Sequence, residues 1–570
     1  QQEVLQPWTE DQDGAAAFFS GTAVYSTSFD LDEAPQGNWR LDLGEVLHSA
    51  RVKLNGQDLG VLWSPPYTVE LGDFLKEGRN ELEVEVANLM ANRIRFMDQN
   101  QIEWQLFHEI NFVDISYRGF NAAEWPVMPS GLKGPVRLIQ QMEAPAVEEM
   151  LDAGEPLVFR FGASVKEDGL FGVLPHYTYS SRRVYGLDLE SRVESIESEE
   201  NEFVALGADA PFYFSVAVPE GHYRVTVVAG HPDKDSELTI KAESRRWMAG
   251  PEHIPAGETR SFSFLVNRRS PYFAKGDSIR RKSREYGYLN WDEKLTLEFS
   301  GQNPSVHSVQ IEAAPTETAT VFLVGNSTVV DQENEPYASW GQMITRFFGE
   351  RAVVANYAES GESLASSKSS RRFAKVLHEM KQGDYVLIEF GHNDQKRKGE
   401  GIGPYTSFTA LMTELVNKVK DKGGVPIVVT PIQRRRFDEA GRQLDTHGDY
   451  PDAVRKVARS EQVHLIDLTR MSTTLFEALG PLESKNAFVH YPAGSFPGQT
   501  RALEDDTHFN NYGAYLIALT VVKGLQESAS RLDRLLIRDL PSFDVEAPMP
   551  FSSWKLPHSV RANVSKPDGN

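Results

Sequence analysis

The hydrophobic period of this chain changes once along its length, and that change constrains the fold more than any other feature. Up to about residue 313, apolar residues recur every second position. Ala23, Tyr25, Thr27, Phe29 and Leu31 alternate with smaller or polar neighbours, and Leu82, Val84 and Val86 alternate with glutamates. The same pattern returns in Tyr223–Val228, Glu237–Lys241, Ser261–Val266 and Lys294–Phe299. Successive side chains of a strand point to opposite faces, so this alternation predicts half-buried strands. Asn55-Gly56 lies between two such runs, and both residues tolerate the positive φ of a tight hairpin turn. Many short strands with turns and little helix predict β-sandwiches.

Beyond Ala314-Pro-Thr-Glu-Thr318, read as a linker, the pattern is different. Near-continuous apolar runs at Thr320–Val324, Val353–Ala355, Tyr385–Phe390, Val425–Thr430 and His464–Leu468 alternate with helical patterns such as Phe408–Lys420 and Pro451–Ser460. Strands apolar on both faces suit a parallel sheet covered by helices, so this part is expected to be a three-layer α/β/α domain. A chain of 570 residues at roughly 100–200 per domain holds about three or four domains. The expected division is a β-sandwich over 1–142, a second over 143–316, the α/β/α domain over 317–540 and a tail over 541–570. A Pro/Ala/Glu-rich joint at Met142–Gly154 separates the sandwiches. The tail is expected to be strapped to the body by Phe551 and Trp554.

Composition excludes several chemistries. Without cysteine there are no disulfides, thiolate nucleophiles, zinc–thiolate sites or iron–sulfur clusters. Against 81 Asp and Glu stand only 59 Lys and Arg, and a net charge of −22 repels nucleic acid on average. No apolar run is long enough to form a transmembrane segment. The chain opens on Gln1-Gln2 and is read as a mature or truncated form, with any targeting segment already removed. The expected location is the periplasm or exterior of a Gram-negative bacterium, where large domains fold without disulfides.

Ligands of an open parallel sheet bind at the carboxyl ends of its strands. The segments that follow the predicted strands are Gly325-Asn326-Ser327, Glu359-Ser-Gly361, Gly391-His392-Asn393-Asp394 and Pro431-Ile-Gln-Arg434-Arg435-Arg436. Asp505-Asp-Thr-His508 precedes the last helical pattern, and of the 14 histidines only His508 has an aspartate three residues before it. Together these supply a serine acyl hydrolase. Ser327, on a strand-to-helix turn, is the candidate nucleophile and His508 its base. Asp505 would hold the imidazole tautomer and stabilise the imidazolium. The backbone N–H groups of Ser327 and Gly361 and the side-chain amide of Asn393 can converge on an oxyanion. Each segment alone is commonplace, since Gly-Asn-Ser is ordinarily just a turn. Their order and their position after predicted strands carry the reading.

These blocks resemble those of the SGNH (GDSL-like) hydrolases. Ala338-Ser-Trp-Gly-Gln342, Phe390-Gly-His-Asn-Asp-Gln395, Thr430-Pro-Ile-Gln-Arg-Arg-Arg-Phe437 and Asp506-Thr-His-Phe-Asn-Asn-Tyr-Gly-Ala514 resemble more closely the rhamnogalacturonan acetylesterases, carbohydrate esterase family 12. That resemblance implies deacetylation of pectic rhamnogalacturonan by a Ser–His–Asp triad, with no metal and no cofactor. Asn326 departs from the family's Gly-Asp-Ser, keeping an acceptor oxygen but no charge. Residues 18–140, through Leu54-Asn-Gly-Gln-Asp-Leu-Gly60, Trp63-Ser-Pro-Pro-Tyr67 and Pro129-Ser-Gly-Leu-Lys-Gly-Pro-Val136, resemble the sugar-binding jelly roll of glycoside hydrolase family 2. The second sandwich resembles a galactose-binding-like domain. Both are read either as glycan binders or as inert spacers.

A pectic substrate carries uronates, so a local basic patch is expected, with the acids mainly elsewhere. Arg434, Arg435 and Arg436 are its candidates, one of them rather than all three, and Lys396, Arg397 and Lys398 lie after the Asn393 block. His490 and Tyr491 are candidates for stacking on sugar. The expected partner is an acetylated poly- or oligosaccharide. Alternatives are another acetylated glycan such as xylan, or a carbohydrate-binding protein with a decayed hydrolase domain. A glycosidase remnant is set aside, because neither paired carboxylates nor a barrel pattern is evident.

Overall fold

The computed structural model describes residues 5–10, 15–31, 38–105, 120–141, 147–163, 170–181, 183–198, 203–274 and 276–568. The chain divides into two units, Gln1–Pro145 and Ala146–Asn570. Among the described residues, no helix is long and apolar enough to cross a membrane.

The first unit is built on a four-stranded antiparallel sheet in the order Thr22–Leu31, Gly78–Ala87, Ser49–Leu54, Gln57–Leu62. Asn55 and Gly56 both have positive φ, 51° and 80°, and close the hairpin between its last two strands. A three-stranded sheet (Thr68–Glu70, Asn38–Asp42, Arg137–Gln141) and a pair (Glu45–Leu47 with Gly131–Gly134) complete it. Alternation places Val52, Leu54, Leu82, Val84 and Val86 in one buried cluster with Leu41, Val46 and Leu132.

The second unit begins with the helix Val147–Asp152. Of the expected joint between the sandwiches, residues 142–146 lie outside the described residues. A five-stranded sheet (Tyr185–Asp188, Phe212–Ala217, Lys294–Ser300, Ser236–Ala242, Arg246–Ile254) faces a seven-stranded one whose centre is Gly221–Ala229 against Ser305–Ala313. Phe159, Phe161, Phe214, Val225, Leu297 and Val309 fill the space between the sheets. The expected linker is a short bonded connection, with Ala314 N–H on the His222 carbonyl at 2.8 Å and Thr318 N–H on Pro315 at 2.9 Å.

The sandwich therefore leads directly into a parallel sheet in the order Ala352–Asn356, Ala319–Val324, Tyr385–Glu389, Val425–Val429, His464–Ile466. Apart from the outer strand and a few strand starts, its residues are buried, as strands covered on both faces require. Helices Thr409–Asp421, Tyr450–Glu461, Leu468–Glu483 and Asn511–Glu527 cover it. The order reverses between the first and third strands, so the crevice forms where their carboxyl ends diverge. The helix Asn511–Glu527 packs tightly: a β-carbon on Gly513 would lie 1.8 Å from the Ala487 carbonyl oxygen.

Sandwich and parallel-sheet layers share buried ion pairs. Arg245 reaches Glu335 at 2.6 Å, Arg246 reaches Asp331 at 3.1 Å, and Arg372 reaches Glu285 at 2.7 Å. Trp247 of the sandwich lies 5.4 Å from the Tyr515 ring. The tail closes the same seam. Trp554 stacks on Tyr515 at 4.6 Å, and Phe551 meets Tyr512 edge-on at 5.2 Å. Further along, Ser559 bonds Glu298, and Asn563 N–H donates to the Glu335 carbonyl at 2.8 Å.

Candidate active site

Ser327 sits in the turn that follows the first parallel strand. The Asn326 side-chain oxygen accepts the Thr328 N–H at 3.0 Å, and the Asn326 carbonyl accepts the N–H groups of Val329 and Val330, each at 3.0 Å. Such a side-chain-closed turn holds the intervening residue in one orientation. Gln332 Nε2 at 2.9 Å and Ser339 Oγ at 2.7 Å tether the Ser327 carbonyl from within. No helix follows directly, contrary to the strand-to-helix expectation. The next helix is Trp340–Met343, and the chain between carries Asp331 and Glu335 to the arginines of the sandwich.

His508 lies on the strand Leu503–Phe509, and Asn510 after it caps the last long helix. His508 Nε2 is 2.9 Å from Ser327 Oγ, and Nδ1 is 2.8 Å from Asp505 Oδ2. The other Asp505 oxygen accepts the N–H groups of Thr507 and His508 at 2.8 and 3.1 Å. Burial alone would push the Asp505 carboxyl up. The hydrogen bond and charge of His508, the Thr507 N–H and Lys566 outweigh it and hold the group ionised, well below the usual carboxylate range. All three side chains are buried. This arrangement can transfer a proton from Ser327 to His508 and stabilise the cation that forms.

Gly361 follows the second strand with φ of 79°, in the left-handed region that favours glycine. Asn393 follows the third, and its amide donates one hydrogen to the Glu362 carbonyl at 3.1 Å. Asp394 fixes that loop by accepting the N–H groups of Leu364 at 2.9 Å and Gly391 at 3.0 Å. Burial pushes its carboxyl up to about 6. The second and third loops therefore meet, and the second also touches the first, where Glu359 N–H donates to the Gly325 carbonyl at 3.2 Å.

The basic candidates separate. Arg434 is half-buried and bonds inward, to the Thr446 carbonyl at 3.1 Å and the His392 carbonyl at 3.2 Å. Burial first, and then Arg436, lower its pKa, while Asp505 acts the other way. Arg435 is paired with Asp506 at 2.9 Å, and His490 Nε2 meets the same Asp506 oxygen at 2.8 Å. Tyr491 packs its ring edge-on against Phe496 at 5.0 Å. Arg436 alone of the three arginines is exposed. Lys396 reaches back to Asn393 Oδ1 at 3.3 Å.

Acids also stand beside the candidate site. Glu359 and Glu362 flank Gly361, and both are buried. Burial, reinforced by Glu285, pushes the Glu359 carboxyl up to about 7. Cations that sequence reasoning overlooked meet them. Arg284 pairs with Glu359, and Lys282 donates to the Ser360 carbonyl. Lys566 of the tail stands 3.4 Å from Asp505, and Asp568 pairs with Arg284. A signal for the first two was present: Arg280-Arg281-Lys282-Ser283-Arg284 carries four cations in five residues.

The chain was compared with known proteins. The GDSL-like lipase/acylhydrolase family matches residues 323–515. The rhamnogalacturonan acetylesterase RhgT of Bacillus subtilis (strain 168) is 41% identical over 222 residues, covering 38% of this chain and 95% of that protein. The rhamnogalacturonan acetylesterase of Emericella nidulans is 25% identical over 240 residues, 38% of this chain and 89% of that protein. The crystal structure of YxiM from Bacillus subtilis is 22% identical and covers 65% of this chain and 98% of that one, with a TM-score of 0.36. On the full-length match to RhgT and the family match across the serine, glycine, asparagine and histidine blocks, the chain belongs to the GDSL-like lipase/acylhydrolase family and is a carboxylic ester hydrolase.

Proposed function

We propose that this chain is a carbohydrate O-acetylesterase that removes acetyl groups from pectic rhamnogalacturonan through a Ser327–His508–Asp505 acyl-enzyme mechanism. The observation that carries the mechanism is the continuous hydrogen-bonded line from Ser327 Oγ through His508 to Asp505, at 2.9 and 2.8 Å. The substrate reading is supported by likeness to a rhamnogalacturonan acetylesterase over that protein's nearly full length.

Ser327 Oγ attacks the acetyl carbonyl carbon while His508 Nε2 takes its proton. The carbonyl oxygen becomes an oxyanion held by the N–H groups of Ser327 and Gly361 and the Asn393 amide. One such donor is worth roughly 10²–10³ in turnover. The carbon–oxygen bond to the sugar then breaks, and the sugar oxygen leaves with the proton from His508. Water, deprotonated by His508, attacks the acetyl-serine; the bond from the acyl carbon to Ser327 Oγ breaks, Oγ takes the proton back from His508, and acetate leaves. Asp505 stays ionised throughout and keeps the imidazole in the tautomer that presents Nε2 to Ser327. A polymeric substrate places the work in the periplasm or outside the cell.

Acetate release from acetylated rhamnogalacturonan, xylan and homogalacturonan, compared at equal acetyl content, tests the reading. Rhamnogalacturonan is expected to be deacetylated fastest, and Ser327→Ala to lose nearly all turnover while keeping its fold. A faster reaction on xylan moves the substrate assignment. Substantial turnover by Ser327→Ala refutes the mechanism.

A further inference from the structure

The basic segment 280–284 belongs to the second sandwich, yet its side chains meet the loop that carries Gly361. The segment is held firmly. Ile279 is buried in the core beside the parallel sheet, and Arg280 N–H bonds the Ser370 carbonyl at 2.9 Å. Glu285 accepts the Lys282 N–H at 2.7 Å and is itself fixed by Arg372 and by the Trp291 N–H at 3.1 Å. Lys282 and Arg284 are thereby aimed at 359–361, and both donate to the Ser360 carbonyl. Lys282 Nζ is 3.2 Å from where a β-carbon of Gly361 would be.

A carboxylate already sits on these two cations. Asp568 Oδ2 pairs with Arg284 Nη1 and lies 3.8 Å from Lys282 Nζ. Its own β-carbon is 2.8 Å from the place of a Gly361 β-carbon, so this anion lies directly over the candidate oxyanion loop. It is accessible, with 58% of its side chain exposed. The nearest backbone bond of the tail is at Asn563, so only the segment after it need move, or the Asp568 side chain alone turn, to clear the position.

We infer that Lys282 and Arg284 form a carboxylate subsite of the catalytic cleft, that Asp568 fills it in the free protein, and that a uronate of an acidic glycan takes its place. The inference rests on the reading of the Ser327 site as one that works on pectic glycans. An arginine fork with a neighbouring ammonium matches a carboxylate in geometry as well as charge. Arg284 is shared between Glu359 and Asp568. Replacing one carboxylate by another leaves that balance intact, with Arg284 still on Glu359 throughout. A neutral glycan offers no such replacement. It must bind beside Asp568, or displace it and leave Arg284 with Glu359 alone and Lys282 with Glu362 at 3.9 Å, one anion short, and this disfavours neutral acetylated chains. A tethered occupant also lowers apparent affinity, because ligand binds only the fraction in which the subsite is open. The second sandwich is on this account a wall of the catalytic cleft, and its basic segment supplies the local positive charge that a chain at −22 needs for an acidic substrate.

Calorimetric titration at low salt tests this with trigalacturonate and its carboxyl-reduced counterpart. Asp568→Asn, an exposed change outside the core, is expected to bind trigalacturonate about tenfold more tightly than wild type, and Lys282→Met several-fold more weakly. The reduced trisaccharide should gain nothing in either. Unchanged affinity in Asp568→Asn, or an equal gain for the reduced trisaccharide, overturns the subsite even if Lys282→Met fails to fold. Because binding is read without turnover, the two readings fail separately. Affinities as stated with no acetate released from rhamnogalacturonan leave the subsite standing and remove the reaction. Acetate release with unchanged affinities does the reverse.

Discussion

Lys566 Nζ stands 3.4 Å from Asp505 Oδ2, so an ammonium from the tail touches the carboxylate that faces His508. A cation there stabilises the ionised carboxylate and opposes a positive imidazole next to it. Lys566→Met should therefore move the acid limb of the kcat/KM profile to higher pH. The side chain is half exposed and screened, so the displacement is expected to be small and to shrink as salt rises. An unmoved limb would mean that the contact is electrostatically idle.

Thr328 Oγ1 joins Asn326 Oδ1 at 3.1 Å to Glu389 Oε1 at 3.0 Å. Asn326→Asp would put a second carboxyl on this hydroxyl, where the two acids repel when ionised. Activity should stay within about tenfold of wild type, a barrier change under about 1.4 kcal/mol. Thermal stability should fall more steeply above neutral pH than in wild type. A dead wild type rescued by aspartate would show that the native turn is not competent, and esterase assays of the two proteins decide it.

Glu389 makes a pH-dependent contribution of its own. Burial pushes its carboxyl from 4.5 up to about 7, against the hydrogen bonds of Trp340 and Thr328. A buried acid with a raised pKa favours its neutral form in the fold. Its contribution is full below the unfolded value and is lost as pH rises through the folded one, for a total of at most about 3 kcal/mol. Glu389→Gln should flatten stability across the window from 4.5 to about 7, as read from urea unfolding at a series of pH values.

Arg372 and Glu285 are both fully buried and 2.7 Å apart, one from the parallel-sheet layers and one from the sandwich. Arg372→Met leaves a buried acid without its main cation and should cost about 3–5 kcal/mol. Adding Glu285→Gln should restore part of this, because the amide still accepts from Trp291 and carries no charge. Unfolding midpoints of the two variants check the expectation. A double variant no more stable than the single would show that lost packing, not the stranded charge, dominates.

The turn at Ser327 and the loops at Gly361 and Asn393 were legible because each follows an apolar run whose burial on both faces dictates a parallel strand, and chemistry gathers at strand ends. Asp505 and His508 were legible through their local spacing. The partners of Arg434, Arg435 and His490 were not, since a basic triplet reads the same whether it faces solvent or folds back onto Thr446 or Asp506. Lys282, Arg284, Lys566 and Asp568 escaped for a different reason. They join the site from another layer and from the tail, and no periodicity records contacts between residues so far apart in the chain. The only trace of Lys282 and Arg284 was charge density in 280–284, and Lys566 and Asp568 left none.

The course of the tail also orders events in time. It passes Glu298, Glu335 and Glu333 before reaching Asp505 and Arg284, so the boundary of the candidate site draws on residues from 282 to 568. Whatever is made first on the ribosome, the segment that completes this boundary is made after everything it closes over. Removing the stretch after Trp554 would therefore strip Lys566 and Asp568 from the site without touching any residue of the proposed triad.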